Sequence, residues 1–469
     1  MGHLVGLDLG TTTVTALLLD VGRGVVLRLA QRRNDAGLQT VLPTRAEQAP
    51  HRLRVLALEA LAELAAGDEP VDGIALTGQK HGLLCVDAGG RPLTPLISWQ
   101  DRRTAEALPN GSTALDEFHG CTADLPWQEN GCLIAHGYGA ATLFWLIQHS
   151  QFPAATHRVC TLADWLAGQL TGDPPSTDPT LAASWGVYSL LDKAWNGAFL
   201  DRLGLEPHLF PTVRPSGEPL GGLAPSIAHR VGLRGGIPVF NALGDTQASF
   251  LGCFPRQAEG AQAGRPGRRR ILLNLGTGGQ ICWQVSEFEL PTEAVETRPL
   301  PHGRYLRVGA SLCGGAAYAW LNRTVRAWLA EFGVQIDEEA VYERLNALAA
   351  AATDIGDLSV RTTFLGVRGD PTVQAGAIEG ITLEELRLGA LARATLIGMV
   401  EELHDLYHAH AGEATRDGHL VAAGGGVLKN PLLPGLIEER FGLPVHVSPQ
   451  RETAAIGAVL SAVHFAGEG

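Results

Sequence analysis

The chain has 469 residues, 45% of them hydrophobic, and carries a formal net charge of −13 at pH 7. That length suits about two to four domains, and the apolar share suits substantial cores. The negative balance argues against wholesale binding to nucleic acid, and with neither a long apolar run nor a basic-then-apolar leader the expected setting is the cytoplasm, away from membranes.

Val5 to Asp20, VGLDLGTTTVTALLLD, reads as two apolar strands joined by the tight turn Gly10-Thr11-Thr12. Such a turn points several N–H groups and two hydroxyls one way with no bulk in front, a nest suited to phosphate oxygens. Asp8 at its lip would repel phosphate, and makes sense if a divalent cation sits between carboxylate and phosphate. The stretch also reads as an ordinary hairpin with an exposed acid. Gly22 to Leu29 reads as a third strand, and Leu53 to Ala65 has helical spacing of apolar residues.

Val71 to Leu76 reads as a buried strand running into Thr77-Gly78-Gln79-Lys80-His81-Gly82. Polar side chains just past a strand's carboxyl end are where open α/β sheets place ligands. His81 taken alone reads as a surface loop histidine. Ile97 to Arg103, ISWQDRR, puts Trp99, Asp101 and Arg102 in one short stretch. Those side chains can stack on a polyol and bond its hydroxyls, or can open a helix with a salt-bridged Arg. Gly137-Tyr138-Gly139-Ala140-Ala141-Thr142 leads an apolar helix, and close packing is the default reading of its small residues.

Gly235 to Phe240 is a turn and short strand leading to Gly244-Asp245-Thr246-Gln247 at a helix start. A carboxylate there can take a proton from a sugar hydroxyl as the oxygen attacks phosphorus; alone, Asp245 reads first as an N-cap. Phe254 to Arg270 is the best linker candidate, its basic run a solvated loop. Ile271 to Ile281, ILLNLGTGGQI, then repeats the first hairpin around Gly276-Thr277-Gly278, which points to a duplicated domain. Leu386 to His410 is one long helix or a broken pair. Its His404 and His408 have i, i+4 spacing that can hold zinc but lack a third ligand, so an exposed face is expected. Leu420 to Ala423 enters Gly424-Gly425-Gly426, with Asn430 near the start of the following helix. Three glycines let a base or ribose approach the backbone. The seven Cys form no Cys-x-x-Cys pair, so free buried thiols are expected.

Taken together, Asp8-Leu9-Gly10-Thr11-Thr12, Gly78-Gln79-Lys80-His81-Gly82, Trp99-Gln100-Asp101-Arg102, Gly244-Asp245-Thr246-Gln247, Leu275-Gly276-Thr277-Gly278 and Gly424-Gly425-Gly426 resemble, in order, the motifs of the FGGY carbohydrate kinases. The resemblance implies an α/β fold of two actin-like (ribonuclease H-like) domains with a central cleft, 1–252 binding sugar and 253–469 binding ATP. It implies transfer of the γ-phosphate of ATP to a terminal hydroxyl of a ketose, sedoheptulose first; the alternatives are a xylulose, ribulose or glycerol kinase of the same family, or an actin- or Hsp70-like ATP-dependent scaffold, which would keep both hairpins but has no need of Gln79 to His81 or Trp99 to Arg102. Asp245 would be the base and Asp8 would organise Mg²⁺, with Asp245 beside it. Gly10, Thr11, Thr12, Gly276, Thr277 and Gly278 would hold phosphates; Gly425, Gly426 and Asn430 would face adenosine. Gln79, Lys80, His81, Trp99, Asp101, Arg102 and Gln247 would face the sugar. Xylulose kinases carry Met where this chain has Lys80, a cation able to reach a hydroxyl or pair with Asp101. Sugar and ATP are the expected partners of a monomer or homodimer.

Overall fold

The computed structural model describes residues 2–254, 269–367, 375–412, 418–449 and 452–467; most of the expected linker, 255–268, lies outside them. The first half is built on β1 (His3–Leu9), β2 (Thr13–Asp20), β3 (Val25–Arg33), β4 (Gly73–Gly78), β5 (Pro219–Gly222), β6 (Pro238–Phe240) and β7 (Leu243–Gly244). Their order is β5-β6-β4-β1-β2-β3, with β7 also pairing β4. β1 and β2 form an antiparallel hairpin, and β4 runs parallel to β1 on its other side. The first five residues of β1 are nearly all buried, as an apolar strand covered on both faces should be.

The second half repeats the plan. β8 (Arg269–Leu275), β9 (Gly279–Val285), β10 (Val295–Leu300), β11 (Arg304–Ser311), β12 (Gly418–Ala423) and β13 (Val445–Val447) are ordered β10-β11-β9-β8-β12-β13. Again a hairpin, β8 with β9, has a parallel strand, β12, against its first member. The duplication expected from the two Leu-Gly-Thr turns is therefore visible as topology.

Element boundaries moved by a few residues for identifiable reasons. The third strand begins at Val25, after a turn containing Gly24 at a φ of 66°. The first helix spans Pro50–Ala65, three residues earlier than its apolar spacing suggested, because Pro50 is suited to the first helical turn. β4 runs two residues further than expected and ends at the polar loop itself. Leu388–His410 is one continuous helix, on which His404 stacks edge-on against Phe441.

Two elements cross between the halves. The last helix, Thr453–Gly467, belongs to the second half by position, yet its Ala455, Ile456, Ala458 and Val459 share a core with Leu4, Leu17, Ala75 and Ala248 of the first. Strand β10 is buried along its whole length, and Thr297 N–H donates to Gly131 C=O of the first half at 2.8 Å.

Candidate active site

The first phosphate turn is shaped by its neighbours. Gly10 N–H donates to Thr13 C=O at 3.0 Å, and a Cβ at Gly10 would meet that oxygen at 2.7 Å. Asn34, which the motif reading missed, donates through Nδ2 to the carbonyls of Gly10 and Thr11. Of the two threonines of the turn, Thr12 is exposed and Thr11 half-buried.

Asp8, the penultimate residue of β1, is half-buried, and its Oδ1 is buried with no hydrogen-bond partner. Burial pushes its carboxyl up to about 8, reinforced by Asp245 and then by Glu452. Glu452, also missed, comes from just before the last helix and accepts from Gln31 Nε2 at 2.8 Å. An orphaned carboxylate oxygen in the field of two further acids suits a hard divalent cation. Among the described residues no cluster of three or more His, Cys, Asp or Glu could hold a metal alone, so phosphate and water oxygens would complete its shell.

Asp245 is the first residue of the helix Asp245–Cys253, whose N-cap is Gly244. It does not cap: its Oδ1 accepts from Thr246 N–H at 2.7 Å and the Thr246 hydroxyl at 3.3 Å.

The two loops expected to face the sugar meet the same region. Gln79 is buried, donates to Gln48 Oε1 at 3.1 Å and keeps a buried, unpartnered Oε1. Gln247 does likewise, donating to Pro299 C=O at 3.2 Å with its own Oε1 unpartnered. The Lys80 stem lies against Gly244, where an added Cβ would meet its Cδ at 2.7 Å. Burial lowers the Lys80 pKa and Asp245 works against that, so this cation sits in the field of Asp245. Trp99 is 40% exposed and donates through Nε1 to the Thr11 hydroxyl at 3.0 Å, tying a sugar loop to the phosphate turn. Arg102 is exposed beside it.

Asp101 does not join them. It is 1% exposed, and its oxygens accept from Arg103 Nε and Nη2 and from the Ala46 and Arg103 N–H groups. It holds the loop from inside, and the acid whose charge acts most on Lys80 is Asp245 rather than Asp101.

His81 has a φ of 68°, rare for a side chain of its size. Its N–H donates to the Ser184 hydroxyl at 3.2 Å. Its Nδ1 lies 2.7 Å from Ser184 C=O, and a carbonyl only accepts, so Nδ1 carries the proton. Its pKa lies well below the usual imidazole value, through burial and then the cations Arg298 and Lys80. The neutral ring thus leaves Nε2 as an acceptor. Tyr138 packs on it with centroids 4.2 Å apart. Arg298 and Tyr138 escaped the sequence reading; a Glu-Thr-Arg alternation in an otherwise buried strand was the available signal for the first.

On the second half, a cavity of about 700 Å³ is lined by Gly276, Thr277, Gly425, Gly426, Lys429 and Asn430, among others. Gly424 has a φ of 97°, and a Cβ there would meet Asn274 Oδ1 and Leu275 C=O, each at 2.5 Å. Gly425 has open space instead. Asn430 follows the short helix Gly425–Lys429 where a place inside a helix start was expected, and its Nδ2 donates to Asn346 Oδ1 at 2.9 Å. An adjoining cavity of about 490 Å³ is lined by Asp8 and Glu452 on one side and Asn274, Gly424, Gly425 and Lys429 on the other. Gly425 and Lys429 border both cavities, so the space runs from the second half to Asp8.

The family model for the N-terminal domain of the FGGY family of carbohydrate kinases matches residues 3–252, and that for the C-terminal domain matches 272–466. The sedoheptulokinase of Mus musculus is 29% identical over 97% of this chain and 96% of its own length. The glycerol kinase of Thermus brockianus is 32% identical over 98% of this chain and 89% of its own. Among solved structures, ligand-bound xylulose kinase from Lactobacillus acidophilus superposes with a TM-score of 0.85 at 19% identity, over 100% of this chain and 90% of that one. Xylulose kinase from Rhodospirillum rubrum gives a TM-score of 0.82 at 26% identity, with the same coverage. No described helix is long and apolar enough to cross a membrane, and all seven Cys are free.

Proposed function

Because the chain belongs to the FGGY family of carbohydrate kinases, and so is an ATP-dependent sugar kinase, we propose that its acceptor is a ketose, sedoheptulose first, phosphorylated at a terminal hydroxyl. Similarity to sedoheptulokinases over nearly the whole of both chains supports that sugar. The first half binds the sugar and the second the nucleotide, divided near residue 252.

The observation that carries the site reading is Asp8, which has an unpartnered carboxylate oxygen and lines a cavity together with Asn274 and Gly424. Triphosphate lies between the two turns, with Gly10, Thr11 and Thr12 on one side and Gly276, Thr277 and Gly278 on the other. Gly425, Gly426 and Asn430 take the adenosine. Gln79, Lys80, His81, Trp99, Arg102 and Gln247 take the sugar, while Asp101 supports their loop from within. Asp245 accepts the proton of the attacking hydroxyl, in the manner of a carboxylate base that aligns its acceptor. Mg²⁺, which Asp8 and Asp245 would hold, supplies neutralisation of the charge that develops on the transferred phosphoryl group. The chain's own contribution is alignment and exclusion of water, which competes as acceptor.

The test is ADP release with Mg-ATP and one acceptor at a time: sedoheptulose, xylulose, ribulose, fructose, glycerol. The highest kcat/KM is expected for sedoheptulose. The 32% identity to a glycerol kinase makes glycerol the second reading, and a preference for it or for a pentulose would overturn the sugar assignment while leaving the kinase. Silence across the panel, with ATP still bound, would contradict the ketose reading.

A further inference from the structure

Strand β10 brings two charged side chains of the second half into the sugar region of the first. Glu296 and Arg298 stand two residues apart, so they share one face of the strand. Arg298 is 2% exposed and Glu296 8%. Arg298 donates through Nε to Glu296 Oε2 at 3.0 Å, and its Nη2 is ion-paired with the same oxygen at 2.9 Å. Its Nη2 also donates to the Tyr138 hydroxyl at 2.8 Å, and that hydroxyl donates to Glu296 Oε1 at 2.7 Å. Its Nη1 donates to Ala183 C=O at 2.8 Å.

These bonds reach His81 by two routes. Tyr138, gripped by both charges, is the ring that packs on His81. Ala183, gripped by Arg298, precedes Ser184, whose carbonyl and hydroxyl hold His81 Nδ1–H and N–H. The strand itself cannot drift from this contact. Gly131 approaches so closely that a Cβ there would lie 2.2 Å from Thr297 C=O. A buried ion pair adds little net stability compared with an apolar filling, so a positional role accounts better for its presence.

We propose that Arg298 and Glu296 are positioning residues for sugar recognition: they hold Tyr138 and the Ala183–Ser184 turn so that His81 Nε2 accepts a hydrogen bond from a sugar hydroxyl. This rests on the ketose-kinase reading above. It makes sugar affinity depend on a strand of the nucleotide-binding half. Arg298, Lys80, Glu296 and Tyr138 are the charged or titratable groups that face His81.

The experiment is steady-state kinetics of wild type, Arg298→Met and Arg298→Lys, with whichever sugar the wild type turns over. In Arg298→Met, KM for the sugar should rise at least about tenfold, since a fixed acceptor is lost, while KM for ATP stays within about twofold. Its acid limb in kcat/KM for the sugar should move to higher pH, because a cation that opposes protonation of His81 is gone. Arg298→Lys keeps the charge and loses the fork, so it should restore the acid limb but not KM. If Arg298→Met does not accumulate as folded protein, the near-isosteric Glu296→Gln carries the same split between the two KM values. An unchanged sugar KM, or sugar and ATP KM rising together, would overturn the positioning role alone. Absence of sugar turnover in the wild type would remove the ketose reading and this role with it.

Discussion

The two Gly-Thr hairpins hold corresponding places in their sheets and differ in what they carry. Asp8 in β1 and Asn274 in β8 occupy the same position, two residues before the turn glycine, each beside the parallel strand at Thr77 or Ala423. One is an acid and the other its neutral near-isostere. Two acids facing one triphosphate would repel it from both sides; a single acid with a cation attracts it. The loops after the parallel strands diverge further. Gly78 leads to the side chains of Gln79, Lys80 and His81, while Gly424 leads to Gly425 and Gly426, which have none. On the proposed function, one duplicated scaffold would read a small polar molecule on one side and shelve a nucleotide on the other.

Substitutions can break this division of labour. The largest effect is expected at the acceptor side: Asp245→Asn should cut turnover by about two to four orders of magnitude and leave nucleotide affinity nearly intact, read by ADP release and calorimetric titration of an ATP analogue. Near-normal turnover would remove Asp245 as the base. Asp8→Asn makes the hairpins alike and should cost roughly two orders of magnitude in turnover, part of it recovered at high Mg²⁺; a Mg²⁺ titration checks this.

Smaller effects should separate the two loops. Lys80→Met should reorder the acceptor panel without altering ATP affinity, while Gly425→Ala should weaken ATP binding by about tenfold without altering the acceptor ranking. An unchanged ranking in the first variant would mean Lys80 does not read the sugar.

The smallest effect concerns the frame. Asp164 is fully buried in the first half, its Oδ1 unpartnered and its carboxyl pushed up to about 7 by burial. The unfolded chain gives up that proton near the ordinary value of 3.8. The folded chain keeps it to higher pH, so stability from this group is whole at low pH and is lost as pH rises through about 7. Asp164→Asn should flatten the fall in melting temperature between about pH 4 and pH 7 by a few degrees.

The family and the duplicated fold were legible in the chain because each Leu-Gly-Thr turn and each family motif is a short contiguous pattern. The roles proposed for those residues follow from their types. Three features were not local. Glu452 enters Asp8's field from more than four hundred residues away. Arg298 reaches Tyr138 across the two halves. The last helix returns to the first sheet, sharing a core with residues more than two hundred positions earlier. Asp101 went astray in the other direction: its motif looked like a ligand set, and only tertiary pairing with Arg103 shows its oxygens are spent.

The most direct test of the central claim, transfer across the cleft from the second half to a ketose on the first, is the product itself. Wild-type enzyme with Mg-ATP and sedoheptulose should yield ADP and a sugar monophosphate in equal amounts, with phosphorus NMR placing the phosphate on the terminal carbon. ADP appearing at the same rate without sugar, or with no sugar phosphate formed, would contradict it.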